Sequence, residues 1–404
     1  MYSEKGAIGT IRTTDLCDEG TINYQTIPYA NLDVNEFSSH ILESGDLLIT
    51  RSGSCGIPCI FEKQEKPIVA GAFLIRFKLK GDVDPSYLHS LLKYDVTQHH
   101  ISKMASGGVQ KNLTGTSLKK LKLQLPELLE QRKVAKILST WDKAISAIER
   151  LIDNSKQQKK ALMQQLLTGK KRLLDDSGMP FEGEWEDRKL EDISSLMTDY
   201  VANGSFQSLR ENVNVTESKD YALYVRLVDL RAGLGHSEQK YVDKESFNFL
   251  KKSCLQGGEL LMANIGANVG EVWQMPNVDL PATLAPNMLM TKFKSYIDSG
   301  YVFFFLASDF GQNRISKVIA GSGHPKINKT ELKQVKVLLP PLKEQQKITK
   351  VLINAGKEIE LLERQLADLK QEKKALMQQL LTGKRRVKID DKEVAQCQKA
   401  KINT

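Results

Sequence analysis

Disulfide frameworks, membrane spans and nucleotide loops are all missing from this 404-residue sequence. Its five cysteines (Cys17, Cys55, Cys59, Cys254 and Cys397) are few and odd in number, which excludes a disulfide scaffold and fits a reducing cytoplasm. Cys55 and Cys59 have no second Cys/His pair nearby, so their spacing argues against zinc. The longest apolar run, near Tyr301–Ala307, falls far short of the roughly 18 residues of a spanning helix. The start also lacks the basic-then-apolar order of an export signal, so neither export nor membrane insertion is expected. Lys170, Lys357 and Lys384 are not followed by the hydroxyl residue of a phosphate-binding loop, and ATP hydrolysis is not expected of this chain. No glycine-rich cofactor loop follows a strand, and no Asn-Pro-Pro-aromatic signature of amino-methyltransferases occurs, so methyl transfer is not expected either. His99-His100 and Asp309-Phe310-Gly311 stand without the partners that would give them chemistry.

What remains is a globular composition, 41% hydrophobic and 26% charged, long enough for several units that each bury a core. A net charge of +9 favours a polyanionic partner, nucleic acid first, although a lysine-rich surface alone would give the same figure.

A repeat organises the chain. Lys159–Lys170 (KKALMQQLLTGK) recurs unchanged at Lys373–Lys384, an offset of 214 residues. That offset also relates Leu125–Gln131 to Leu339–Gln345, Arg12–Leu16 to Arg226–Leu230, and Tyr87 to Tyr301. Gly45-Asp46-Leu47-Leu48 matches Gly258-Glu259-Leu260-Leu261 at 213. So long a period is a tandem copy of a whole domain plus connector, and pseudo-twofold symmetry is expected. The helical parts have stayed nearly identical while the globular parts have diverged; a shared partner and different targets would produce that contrast, and recent duplication is the competing explanation for the identity. Met1 aligns with Val215, so the first copy shows no counterpart of about thirty residues, from about Glu184 to Asn214. A truncated chain or a differently built first half would account for this.

After Pro126, apolar residues at Val134, Ile137, Leu138, Trp141, Ala144, Ile145, Ile148, Leu151 and Ile152 keep the three-and-four spacing of an amphipathic helix. Ile348, Val351, Leu352, Ala355, Ile359, Leu362, Leu366, Leu369, Leu376 and Leu380 do the same in the second copy. Each run ends at Thr-Gly-Lys, a normal helix stop. Two helices of about forty residues, each about 60 Å long, are predicted to pair antiparallel as a spacer. Such seams are usually core packing. Trp141, Ile145, Leu162, Leu166, Leu362, Leu366, Leu376 and Leu380 are nevertheless taken as the candidate partner-docking residues of the helices.

The expected division is a first globular domain at 1–124, a helical region at 125–172, a second domain at 173–338, a helical region at 339–386 and a polar tail at 387–404. The fold class is α+β, two mixed domains joined by the two long helices, with strand-like runs at Leu47–Thr50, Phe73–Phe77 and Met288–Thr291 and short helices at Tyr87–Leu92 and Tyr301–Leu306. Glycines recur at matched places, Gly45, Gly53 and Gly56 against Gly258, Gly266 and Gly270, which permits tight turns and close approach to a ligand. The neighbouring side chains could hydrogen-bond a base edge or a phosphate: Arg51 and Ser52 in the first copy, Asn264 and Asn268 in the second. Gln110, Lys111 and Asn112, matched by His324, Lys326 and Asn328, extend this candidate set, as do Arg12, Thr14 and Arg226. Lys119, Lys120 and Lys122 are further candidate phosphate contacts, and each loop could equally be an ordinary solvated turn.

The repeat, the Leu-Pro-Pro-Leu-Lys-Glu-Gln-Gln stretch at 339–346 and the Leu-Leu-Thr-Gly-Lys helix ends together resemble the specificity subunits of Type I restriction-modification systems over nearly the whole chain. The resemblance implies two target-recognition domains, each reading one half of a bipartite, asymmetric site on double-stranded DNA, with the helices setting the unread gap. It implies two modification subunits that methylate adenine with S-adenosylmethionine, and two restriction subunits that use ATP and Mg; this chain itself would carry no cofactor, no metal and no catalytic residue. Members usually open with a segment like Trp185–Leu190, which the first copy lacks.

Overall fold

The computed structural model describes residues 6–17, 20–106, 111–321 and 323–389. It divides into two compact units, residues 1–150 with 364–404, and residues 151–363. A long helix, Leu128–Leu166, and a second, Leu342–Leu381, each contribute one part to either unit. Among the described residues no helix is long and apolar enough to cross a membrane.

In the first unit six strands form two small sheets: β1 (Ile8–Ile11), β2 (Tyr29–Ala30), β3 (Leu47–Thr50), β4 (Pro58–Ile60), β5 (Ile68–Ala70) and β6 (Leu74–Phe77). One sheet is ordered β2-β1-β5, with β1 and β5 parallel; the other is the antiparallel β4-β3-β6. The second unit adds two strands before the repeat begins, β7 (Glu186–Lys189) and β8 (Ser194–Asp199), and the repeat itself opens on β9 (Val215–Thr216). It then continues with β10 (Ala222–Val225), β11 (Lys240–Val242), β12 (Cys254–Leu255), β13 (Leu260–Ala263), β14 (Val272–Gln274), β15 (Ala282–Leu284), β16 (Met288–Phe293) and β17 (Lys336–Leu339).

The repeat reappears as topology. β10 lies parallel to β15 as β1 does to β5, and β13 sits between β14 and β16 as β3 sits between β4 and β6. The second unit is larger by the outer strand β8 on β16 and by the β7–β17 pair. Runs such as Leu47–Thr50 and Leu260–Ala263 are buried throughout, as befits central strands covered on both faces.

Within each unit the two long helices run antiparallel. In the first, Lys373 pairs with Asp142 and Lys370 with Glu149 (2.8 Å). In the second, Lys156 pairs with Glu363 at 2.7 Å. Both helices stop where Gly169 and Gly383 take φ of 71°, a left-handed turn that costs a Cβ-free residue little. The coil seam is continuous with the domain cores. Val134 and Leu138 join Tyr87, Leu91, Leu380 and Leu381 in one cluster; Leu166 and Leu167 join Tyr301, Phe305, Ile348 and Leu352 in another.

Each helix start is locked by a buried glutamate paired with an arginine from the end of the other copy's helical region. Glu344, wholly buried, accepts from Arg172 Nε at 3.1 Å and Nη2 at 2.6 Å, and from Trp185 Nε1 at 3.3 Å. Glu130 accepts from Arg386 Nε at 2.7 Å. The Arg386 hydrogen bond holds the Glu130 carboxyl below the ordinary carboxylate range against the opposing effect of burial. The adjoining Gln131 and Gln345 hold the capping loops of the next helices, accepting from the N–H of Asp84 and of Asp298 at 2.9 Å.

Candidate nucleic-acid interface

Three loops that are distant in sequence converge on one rim in each unit. In the first, Arg51 N–H donates to the Phe73 carbonyl (2.8 Å) and the Arg51 carbonyl accepts from Leu113 N–H (2.8 Å), while Ser52 and Asn112 form a bridge. In the second, Asn264 N–H donates to the Asn287 carbonyl (3.1 Å), its carbonyl accepts from Ile327 N–H (3.0 Å), and Ile265 bridges to Lys326. The backbone clamp is therefore the same, whereas the side chain it presents is a guanidinium in one unit and an amide in the other.

Matched glycines seat the rim. Gly56 and Gly270 have φ of 91° and 88°, and a Cβ at either would press within 3 Å of Ile101 or Ile315. Gln98 and Gln312 each donate a side-chain amide hydrogen bond, at 3.0 Å, to the glycine's carbonyl. Gly53 and Gly266 face open space and are required only for their positive φ. Cys55 Sγ ties the first two loops together, donating to the carbonyls of Arg51 (3.0 Å) and Lys111 (3.1 Å).

On this rim Arg51, Lys111 and Asn112 are exposed and Ser52 half-buried; in the second unit Asn268, His324 and Lys326 are exposed. Asn264 is half-buried, and its Oδ1 is a buried acceptor without a hydrogen-bond partner. Gln110 lies outside the described residues. The third loop was not anticipated from the sequence. It presents Phe73, 60% exposed, and Asn287, the one non-glycine residue with positive φ (68°) among those described. Its sequence signal was Pro286-Asn287, a turn pair in which asparagine tolerates the left-handed region.

Several other candidates have structural work instead. Arg226 forks onto the fully buried Asp229 (Nη2–Oδ1 2.7 Å, Nε–Oδ2 3.1 Å), and His236 Nε2 lies 2.9 Å from the same carboxylate. Burial alone would lift the Asp229 carboxyl, yet these partners hold it below its ordinary value. Arg12 makes the matching fork onto Asp15 and also donates to the Thr26 carbonyl at 2.9 Å. Their guanidiniums are thus committed to buried carboxylates rather than displayed for phosphate. Asn328 caps the helix Lys329–Lys333 by accepting from Glu331 N–H (2.9 Å), so its amide oxygen is occupied. Thr14 is exposed on a short turn of 3₁₀ helix, and Lys119, Lys120 and Lys122 are exposed beside the first unit's last short helix.

The helix residues expected to dock partners are placed differently from that expectation. Leu166 and Leu380 are buried in the chain's own cores, with Leu162 and Leu376 packed against them. Trp141, Ile145, Leu362 and Leu366 are half-buried along the seam. The ends of the apolar stripe are thus taken up by the chain's own cores, while Leu151 in its middle is 48% exposed. The exposed face of the repeated segment is polar: Lys160, Gln164 and Gln165, repeated as Lys374, Gln378 and Gln379.

Comparison with known proteins agrees with this architecture. The family described as Type I restriction modification DNA specificity domain matches residues 4–155 and 182–371. The chain is 27% identical over 370 residues to the putative type I restriction enzyme MjaX specificity subunit of Methanocaldococcus jannaschii, covering 87% of this chain and 81% of that protein. It is 25% identical over 367 residues to the MjaVIII specificity subunit of the same organism, with 86% and 81% coverage. In fold it is similar to the Type I restriction-modification S subunit of M. genitalium, with a TM-score of 0.53 at 14% identity over 96% of this chain and 94% of that one. Two rims on a duplicated α+β scaffold, matched in both halves by one family, lead to a single conclusion: the chain belongs to the Type I restriction-modification DNA specificity family.

Proposed function

We propose that this chain is the non-catalytic, DNA-reading specificity subunit of a Type I restriction-modification complex, and that each unit reads one half of a bipartite, asymmetric site through its three-loop rim. The observation that carries this reading is the identical backbone clamp bearing Arg51 in one unit and Asn264 in the other. A conserved frame with exchanged polar side chains is what two readers of different sequences require, since arginine pairs with guanine and asparagine with adenine in the major groove. Exposed Arg51, Lys111 and Lys326 supply cations for the backbone phosphates. Modification subunits that methylate adenine would dock on the helical regions, whose exposed polar positions recur, and restriction subunits would complete the complex. S-adenosylmethionine, ATP and Mg belong to those partners in this reading, and the work is done in the cytoplasm.

The test is genome-wide mapping of methylated adenines in cells that express the matching modification subunit, with and without this chain. A bipartite motif that depends on the chain is the expected result. No chain-dependent motif, together with DNA binding that does not weaken as salt rises, would instead favour a scaffold that holds protein-binding modules.

A further inference from the structure

The third loop of the rim has one frame in both units and a different side chain at its tip. It joins β5 to β6 through residues 71–73 and β15 to β16 through residues 285–287. Gly71 N–H donates to the Ile11 carbonyl at 2.8 Å, and Ala285 N–H to the Val225 carbonyl at 2.9 Å. The carbonyls of Phe73 and Asn287 then accept from the N–H groups of Arg51 and Asn264. A Cβ at Gly71 would come within 2.6 Å of the Ile11 carbonyl oxygen, so the first loop lies hard against β1. Phe73 therefore occupies the place of Asn287, an exposed ring where the other unit has an exposed amide.

A single exposed hydrophobic residue needs no explanation of its own, but Phe73 is held in register beside an arginine. The β3–β6 ladder pairs Thr50 with Leu74, and its next pair is Arg51 with Phe73, joined by the 2.8 Å hydrogen bond. Leu74 is buried in the core, and both members of the next pair are exposed. Residues hydrogen-bonded across an antiparallel ladder have Cα atoms about 5.5 Å apart and side chains on the same face. Base pairs along a duplex are about 3.4 Å apart, so two side chains leaving the rim at that separation reach neighbouring base pairs rather than the same one. If Arg51 takes a guanine in the major groove, the next base pair meets the phenyl ring. Donor and acceptor edges pressed on a ring lose water and gain no hydrogen bond. Thymine alone offers an apolar group there, its C5 methyl.

We propose that Phe73 is a specificity-determining residue of the first unit and reads the C5 methyl of a thymine in the base pair next to the guanine taken by Arg51. This rests on the DNA-reading role of the rims and deepens it from a single base to a two-base step. Asn287, in the same frame, gives the second unit an amide at this step, so the two half-sites differ at two adjacent positions.

The test begins with a pool of duplexes carrying a randomised core, from which the full chain selects the sequences it binds. The half-site whose preferences change with Arg51→Ala belongs to the first unit, and a thymine beside its guanine is expected. Replacing that thymine with deoxyuridine removes one methyl and nothing else, and competition binding should weaken about fourfold, the worth of one buried methyl. Phe73→Asn, which gives this loop the residue that the second unit carries in the same frame, should bind the thymine and deoxyuridine duplexes equally. The deoxyuridine change lies in the DNA, so the folding of the chain is untouched. No thymine beside the guanine, equal binding of both duplexes by the unmutated chain, or a difference that survives Phe73→Asn overturns the proposal and leaves the DNA-reading role standing. A pool that yields no enriched sequence, or a motif that Arg51→Ala leaves unchanged, overturns the reading of this rim and the inference with it.

Discussion

Replacing Arg172 with methionine leaves the apolar stem of the side chain in place and removes the guanidinium from Glu344. That carboxylate has no exposed surface, and Arg172 is 31% exposed. Breaking a buried pair by deleting one partner costs about 3–5 kcal/mol, because a charge is stranded in a poorly solvated place. Trp185 remains as a donor at 3.3 Å, which brings the expected loss to about 3 kcal/mol, the lower end of that range. The reverse change, Glu344→Gln, strands an arginine that can turn to water, so its cost is about 1–2 kcal/mol.

The repeat supplies an internal control. Arg386→Met breaks the same contact in the first unit, but there the arginine is 68% exposed and no indole covers the pair. Water can reach Glu130 once Arg386 is gone, and the expected loss is smaller than that of Arg172→Met. Urea titration of the full chain, followed by tryptophan fluorescence and circular dichroism, measures all three. The order Arg172→Met above both Arg386→Met and Glu344→Gln is the prediction. Equal losses in the two units would show that local burial does not set the cost, and Glu344→Gln as damaging as Arg172→Met would show that the carboxylate is not the stranded partner.

Three further outcomes are expected. Arg51→Ala should weaken binding to one half-site by about 1–3 kcal/mol and relax the base preferred there, read by competition binding against half-site variants; an unchanged preference removes Arg51 from the reading set. The Glu130 carboxyl titrates below its unfolded value of 4.5, so its pairing stabilises the fold above that pH and is lost as pH falls through the lower folded value. The stability gap between the unmutated chain and Glu130→Gln should therefore shrink in urea titrations run at successively lower pH below 4.5, and a gap that widens there contradicts the assignment. Four residues inserted at matched positions in both long helices add about 6 Å of helix, close to two base-pair steps of about 3.4 Å, and should lengthen the unread gap of the methylated motif accordingly; a constant gap refutes the spacer role.

Local patterns with a single physical meaning were legible in the sequence. The apolar run at Leu47–Thr50 is β3 residue for residue, and the heptad-like spacing after Pro126 and Pro341 is the two long helices. Other candidates carried two meanings at once. Arg12 and Arg226 each stand three residues before an aspartate at a helix start, and Asn328 stands three before Glu331. Those spacings are capping signals, and they outcompete phosphate binding because a buried carboxylate or an orphan N–H costs more to leave unpaired than a solvated cation gains. The rim itself was half legible. Its glycines and polar residues marked loops, but the meeting of Ser52 with Asn112, or Ile265 with Lys326, is tertiary and leaves no local trace. Periodicity likewise finds an apolar stripe without telling whether the same chain or another covers it, and of the candidate docking residues Leu166 and Leu380 are covered by the chain itself.

The identity of the repeated segments can now be divided by cause. Leu166, Leu167, Leu380 and Leu381 are buried, and the arginines that follow hold buried glutamates, so packing alone explains their persistence. Lys160 and Lys374 make matched ion pairs, with Asp309 at 3.2 Å and Asp95 at 2.8 Å, whereas Gln164, Gln165, Gln378 and Gln379 are exposed and serve no core. A recent duplication would have left the globular parts equally alike, yet there Arg51 faces Asn264 and Asn112 faces Lys326 on a common backbone frame. Identity at those glutamines, beside divergence at the rim, is what the shared partner proposed above would maintain. That proposal has its candidate contacts on the polar face rather than at Leu166 and Leu380, which the chain's own cores already bury.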